Sequence, residues 1–569
     1  TGIPLPRYDR SAARVLTAVQ AGLGLVMCTA HVFIVDLHTG AGIPTVKLMA
    51  MSMGALFVLL GIYFPIAQTD VETDNAWIDA FVVAQRSLSR SAGIALAGVG
   101  LATIAGAAAS PWRQRFHVQP PAGLLNDPNG FVYHRGRYSL CYQWFPLGPV
   151  HGLKYWRRLD SDNLARWQDA GIFLSPDQKE DSHGAYSGSA LAQADHILYA
   201  YTGNHRDADW QRVPYQLTFR YYDDGRRTAK TPFLIGPPPG YSEHVRDPKI
   251  WAEADGSLGL VLGAQRLDGS GTALYFTSPD GDRWQQRGAI DCQLPRFGYM
   301  WECPDYFSLD GADLLFFCPQ GLPADGENYK NLYQCGYLLG HFDREKLTFR
   351  HGGFRELDGG FEYYAVQTTS DAAGRRVSIA WFGLPDISTP TAADGWAHCL
   401  TLPRLLNVEN GQLRQRPHPD LQRLRRPGAH DGVHFELLLD NLTAAPFELW
   451  LRADDRGHGT RISYDGAVLT FDRSASGALG HNEKEEPGKG GQVRRLTVSA
   501  LRELRIYADS SSLELFINDG EQTMGGRIFP PEEARQLRWS LAPEARVQCW
   551  ALVMNKNNPR NRGFLSLIL

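Results

Sequence analysis

Three short acidic motifs lie along one strand-rich stretch of the chain: Asn126-Asp127-Pro128-Asn129-Gly130, Arg246-Asp247-Pro248 and Trp301-Glu302-Cys303-Pro304. Their carboxylates, Asp127, Asp247 and Glu302, are the groups that cleavage of a glycosidic bond with retention demands. One carboxylate attacks the anomeric carbon, and a second, kept protonated, hands a proton to the departing oxygen. A third can grip sugar hydroxyls. Taken singly, each motif has a plainer reading, because Asp-Pro-Asn-Gly is a turn sequence and Arg-Asp an ordinary ion pair. The chemistry therefore needs a fold that gathers the three carboxylates.

The elements around the motifs are strands. From Pro111 to Arg404, short runs of Tyr, Phe, Leu, Val and Ile are broken by Asp-Gly, Asn-Gly and Gly-Arg turns, as in Phe131-Val132-Tyr133 before Arg135-Gly136-Arg137. Regular short strands with no helical stretch suit a β-propeller, whose blades of about four strands surround a funnel. A propeller brings loops from separate blades to one mouth, so carboxylates far apart in sequence meet there. The basic stretch from Arg414 to Pro427 reads as a linker, and alternating strands resume in Phe435–Leu439 and Leu513–Ile517. The fold class is thus all-β, a propeller followed by a β-sandwich.

The first hundred residues differ. Val15 to Val35, Leu48 to Ala67 and Ser91 to Ala109 run essentially without charge, each long enough to cross a bilayer as a helix. The expected division is 1–111 as a hydrophobic segment with three transmembrane helices, 112–415 as the catalytic propeller, 416–427 as linker and 428–569 as sandwich. The membrane would then be a partner through residues 15–109. Arg7, Arg10, Arg14, Arg86 and Arg90 outnumber Lys47, Arg113 and Arg115 across these spans, which places the large domain outside. The eight cysteines are scattered without CxxC pairs, as in a reducing compartment, and point the other way.

Composition narrows the partners. With 569 residues the chain holds two or three domains, and a net charge of -4 argues against nucleic acid. Aromatic residues make up 11%, with 14 Trp, and sugar rings stack on such faces. No clustered His and Cys at zinc spacing is present, and Pro487-Gly488-Lys489-Gly490 lacks the pattern of a phosphate-binding loop.

The motifs also carry a resemblance. Gly123-Leu124-Leu125 through Gly130, Tyr142-Gln143-Trp144, Phe145 to Lys154, Asp181 to Ala190, Tyr201-Thr202-Gly203-Asn204, His244 to Pro248 and Cys318 to Leu322 resemble, in order, the β-fructosidases of glycoside hydrolase family 32. They look most like its bacterial sucrose-6-phosphate hydrolase branch. Leu402-Pro403-Arg404 and Asp509 to Pro530 are similar to the family's sandwich. The resemblance implies a five-bladed propeller, hydrolysis of β-fructofuranosides such as sucrose, and no cofactor or metal.

It also implies roles. Asp127 would be the nucleophile, held at a loop apex and kept ionised by backbone amides. Glu302 would be the general acid and base, protonated through burial or negative neighbours and tuned by Cys303. Asp247 would stabilise the transition state, with Arg246 holding its carboxylate. Asn126, Gln143, Tyr186 and Ser187 match sugar-contacting positions. Lys154, Arg157, Arg158 and Lys249 lie beside site motifs and are candidates to meet a substrate phosphate. Leu124-Leu125 stands where the family usually has Trp, and Arg157-Arg158 where it has Gly-His. A fructan hydrolase, a fructosyltransferase and a non-catalytic membrane fructoside sensor are the alternatives.

Overall fold

Five antiparallel meanders follow one another along the chain, and their first strands line up around a common centre. The computed structural model describes residues 106–553. Blade 1 is built from Gly123–His134, Arg137–Phe145, Tyr155–Ser161 and Gln168–Leu174, and blade 2 from Ala185–Ala192, His196–Arg206, Arg212–Tyr222 and Thr231–Ile235. Tyr241–Ala252 begins blade 3, Met300–Leu309 blade 4 and Tyr364–Ser370 blade 5. Each of these inner strands packs on the next, and the fifth packs on the first, which closes a five-bladed ring. The ring is also laced: Trp396–Ala397, from the blade 5 segment, pairs in parallel with Gly123 and Leu124 of blade 1.

Both faces of a blade are covered by its neighbours, so its middle strands are almost wholly apolar. Ala312–Gln320 is the clearest case, with eight of its nine residues buried. Between blades 1 and 2 the filling is Trp156, Phe173, Tyr199 and Phe219, with Tyr199 stacked on Phe219 at 4.9 Å. Between blades 3 and 4, Trp301 stacks on Phe317 at 4.1 Å. Burial on this scale contributes roughly 1.5–3 kcal/mol for each large side chain. It makes the inner strands a rigid platform for the side chains they aim inward.

The C-terminal part pairs two sheets. One has six strands, including Phe435–Asp440, Leu504–Asp509 and Ser512–Ile517, and the other five, including Phe447–Ala453 and Thr460–Tyr464. Leu437, Leu449, Ile462, Phe471, Ile506 and Leu515 fill the space between them. The expected linker is an ordered connection. Gln412–Pro417 is the outer strand of blade 5, Pro419–Leu424 a 3-10 turn, and Arg425–Arg426 already pairs with the sandwich.

The sandwich is docked on the propeller by buried charge. Arg404, 0% exposed, pairs with Glu514 at 2.8 Å and Asp358 at 3.0 Å. His117 lies between Asp509, 2.8 Å from Nδ1, and Glu514, 3.1 Å from Nε2. Both carboxylates only accept, so both ring nitrogens donate and the imidazole is charged. Burial opposes that charge, yet the two carboxylates outweigh it and raise the pKa of His117 above its ordinary value.

The three expected transmembrane helices, Val15 to Val35, Leu48 to Ala67 and Ser91 to Ala109, lie almost wholly outside the described residues. Among the described residues no helix is long and apolar enough to cross a membrane. The seven described cysteines are all free thiols.

Candidate active site

The inner strands are regular except where the site residues stand. Pairing with the second strand slips between Leu125 and Pro128 in blade 1 and between Ala185 and Gly188 in blade 2. It slips again between Arg246 and Lys249 in blade 3, between Glu302 and Asp305 in blade 4, and between Tyr364 and Gln367 in blade 5. A bulge of this kind re-aims the side chains it carries. Pro248 and Pro304 fall inside two of the bulges, where a ladder N–H is not required, and Pro128 closes a third. Asp247 and Cys303 take left-handed backbone angles, φ +70 and +47. Asp127 therefore sits in a bulged strand and not at the expected loop apex.

Side chains, not the expected backbone amides, hold the Asp127 carboxylate. Ser187 Oγ donates to it at 2.5 Å, Asn126 Nδ2 at 3.2 Å and Gln143 Nε2 at 3.3 Å. Gln143 also donates to Ser187 at 2.6 Å and accepts from Asn126 at 3.0 Å, so the three form one mutually oriented set. Burial pushes the pKa of Asp127 up, with the charge of Glu302 adding to it, and the Ser187 hydrogen bond pulls it back.

Asp247 is anchored from two neighbours. Its N–H donates to Thr202 Oγ1 of blade 2 at 2.9 Å, and its carboxylate accepts from the Cys303 N–H of blade 4 at 3.0 Å. Burial pushes its pKa up to about 7, against the opposing pull of Arg246. The Cys303 thiol lies 3.6 Å from both the Asp127 and Asp247 carboxylates. It thus bridges those two groups, whereas the sequence placed it as a tuner of Glu302. Burial, then the charges of Asp247 and Asp127, raises its own pKa well above that of a free thiol.

The largest departure concerns Arg246. Expected to hold Asp247, it grips Glu302 through Nε at 3.0 Å and Nη2 at 2.7 Å, while Asp247 is 4.0 Å away. The reason is reach: residues adjacent on a strand point to opposite sides, and the long guanidinium crosses from blade 3 to blade 4. Tyr364 of blade 5 donates its hydroxyl to the other Glu302 oxygen at 2.6 Å. Sequence reasoning missed Tyr364, although a ring of five equivalent strands implies a fifth contributor at the matching bulge. Tyr186 is half-buried beside Ser187, with the Arg212 guanidinium 5.8 Å from its ring centre.

Three of the four phosphate candidates are engaged elsewhere. Arg157 pairs with Asp169 at 2.5 Å, Arg158 with Asp160 at 2.8 Å, and Lys249 with buried Asp305 at 2.8 Å. Lys154 alone keeps an uncommitted ammonium, 4% exposed and without a hydrogen-bond partner.

A closed ring of five blades, with three carboxylates meeting at one end of its inner strands, is the architecture of a class of glycosidases. Residues 117–417 match the Glycosyl hydrolases family 32 N-terminal domain and residues 409–550 match the Glycosyl hydrolases family 32 C terminal domain, and the chain belongs to that family. Among its relatives, the sucrose-6-phosphate hydrolase of Staphylococcus xylosus is 44% identical over 450 residues, 76% of this chain and 90% of that protein. That of Bacillus subtilis (strain 168) is 39% identical over 435 residues, 74% and 89% of the two chains. The solved sucrose-6-phosphate hydrolase of Lactobacillus gasseri superposes with a TM-score of 0.75 at 33% identity, covering 80% of this chain and 96% of that one. A GH32 beta-fructofuranosidase of Bombyx mori in complex with sucrose gives a TM-score of 0.68 at 30% identity, covering 78% and 94%.

Proposed function

We propose that the chain is a retaining β-fructofuranosidase that cleaves the fructosyl bond of sucrose or sucrose 6-phosphate. The observation that carries this reading is the convergence at Cys303. Its thiol touches the carboxylates of blades 1 and 3, while Glu302 beside it is held by Arg246 and Tyr364. Three carboxylates from three blades thereby share one small volume.

In this mechanism Asp127 attacks the anomeric carbon of the fructosyl unit, and the bond to the leaving oxygen breaks as Glu302 protonates that oxygen. A fructosyl ester on Asp127 results. Glu302, now a carboxylate, takes a proton from water, which attacks the same carbon and frees fructose and Asp127. Ser187, Asn126 and Gln143 fix the attacking oxygen so that it meets the carbon without prior rearrangement. Tyr364 and Arg246 determine which Glu302 oxygen carries the proton. Arg246 covers Oε1, so the proton belongs on Oε2, with the Tyr364 hydroxyl hydrogen turned away; Tyr364 donates to Oε2 once that proton has passed to the leaving oxygen. Asp247 remains free to accept hydrogen bonds from ring hydroxyls.

The relatives named for sucrose 6-phosphate favour that substrate. The test is release of fructose from both sugars by the purified chain, with Asp127→Ala as the blank. Equal release by the variant would exclude Asp127 as nucleophile.

A further inference from the structure

Lys154 is a buried charge near Asp127 that the proposed mechanism leaves unused. It lies at the end of the 146–154 loop, and its C=O accepts from the Ala185 N–H at 2.9 Å, next to Tyr186 and Ser187. Its Nζ is buried without an acceptor, and no other lysine among the described residues is in that position. Lys249, equally buried, is closed off by Asp305 at 2.8 Å and the Thr368 C=O at 2.7 Å. A desolvated ammonium with nothing to donate to is strongly unfavourable, so its retention calls for an acceptor supplied from outside.

The surroundings tell beside which group that acceptor lies. Burial draws the Lys154 pKa down to about 7, and Asp127 is the group that draws it back. Lys154 in turn lowers the pKa of Asp127. Lys154 also acts on His151, brought down to about 3 by burial and by Lys154, and on His398, held well below the ordinary value by burial and by Arg527, with His151 and Lys154 adding to it. His398 Nδ1 and Trp381 Nε1 are further buried atoms without a hydrogen-bond partner, on rings 5.2 Å apart, and Asn126 Oδ1 is another. Of these, Asn126 Oδ1 belongs to the residue whose Nδ2 donates to Asp127, and the Lys154 C=O is bonded two residues before Ser187, which also donates to Asp127, so the unfilled acceptor position of Lys154 lies beside the Asp127 group. A phosphate dianion seated there would lie against the Asp127 carboxylate and be repelled; a neutral hydroxyl would not.

We infer that Lys154 is a specificity-determining residue for the transferred half of the substrate, its ammonium hydrogen-bonding a hydroxyl oxygen of the fructosyl ring and not a phosphate on the leaving half. This rests on Asp127 being the nucleophile. The same ammonium places positive charge beside the carboxylate when that carboxylate must be ionised to attack.

The test is Lys154→Met in the full chain, an apolar side chain of similar length. The specificity constants for sucrose and sucrose 6-phosphate should fall together by about tenfold or more, the loss of one charged hydrogen bond. Their ratio should stay within about twofold. Tm should hold or rise, because an unpaired buried charge has been removed. A loss confined to the phosphorylated sugar would make Lys154 a phosphate reader and overturn the inference; unchanged constants would make it a spectator. A fall in Tm would assign it a structural role, and Lys154→Gln, which keeps a donor, is read by the same criteria. Failure of the wild-type chain to cleave either sugar would instead refute the proposed function.

Discussion

At the scale of residues, the site turns on who neutralises whom. Arg246 is hydrogen-bonded twice to Glu302 and acts on Asp247 only through charge, at 4.0 Å, opposing the burial that carries the Asp247 pKa to about 7. Asp247 stabilises developing positive charge and accepts strong hydrogen bonds from sugar hydroxyls only when ionised, so kcat/KM is expected to fall as pH drops through about 7. Arg246→Gln removes the positive charge that lowers this pKa, so the acidic limb should move to higher pH, with kcat down by about 10²-fold or more. A pH profile of kcat/KM for both proteins checks this, and an unmoved limb would show that Asp247 does not set it. Cys303 is buried and its thiol strongly protonated, so iodoacetamide at pH 8 should leave activity intact. The three acidic motifs were legible in the sequence because each declares its chemistry within a few adjacent residues. The partners of Arg246 and the place of Tyr364 were not, because they depend on reach between strands about 56 and 62 positions apart.

At the scale of elements, the bulges decide what the inner strands present. Ser189 shows how one is held: its hydroxyl donates to the Pro248 C=O at 2.8 Å and accepts from the Ile250 N–H at 3.0 Å. Blade 2 thereby fixes the irregular stretch of blade 3 that carries Asp247. Ser189→Ala would leave both groups unpaired in a buried setting. Its expected cost is about 1–3 kcal/mol in urea denaturation, with a fall in kcat as Asp247 loses its register. The short strands and Gly-rich turns announced the blades, since alternation and turn residues are local signals. The bulges could not be announced in the same way, because a slip in pairing is a property of two strands. A proline one or two residues after the acid, as Asp-Pro in two motifs and Glu-Cys-Pro in the third, is the trace they leave in the sequence, and it reads equally well as a turn.

At the scale of the whole molecule, propeller and sandwich share one buried charged network. Burial opposes the charge on Asp509 and Glu514, yet His117 holds the first far below the usual carboxylate range, and Arg404 with His117 lowers the second. Carboxylates with depressed pKa values contribute stability that is present above their unfolded values and lost as pH falls through the folded ones. His117, with a raised pKa, contributes below its unfolded value of 6.5 and ceases to as pH rises through its folded one. The urea midpoint should therefore drop steeply below about pH 4. It should decline again on the alkaline side. Glu514→Ala strands Arg404 and His117 without it, at an expected cost of about 3–5 kcal/mol. The two-part β architecture was legible from the change at the basic stretch 414–427. That this stretch is ordered was not, because its docking depends on Arg546–Leu552, far along the chain.

The central claim is that Asp127 attacks a fructosyl carbon while Glu302 protonates the leaving sugar. Its most direct measurement is fructose release from sucrose and from sucrose 6-phosphate by the wild-type chain and by Asp127→Ala, with matched Tm values. The wild-type chain should release fructose from at least one sugar, and the variant should fall by about 10³-fold or more on both with its fold intact. Undiminished release by the variant, or none by the wild-type chain, would contradict the account.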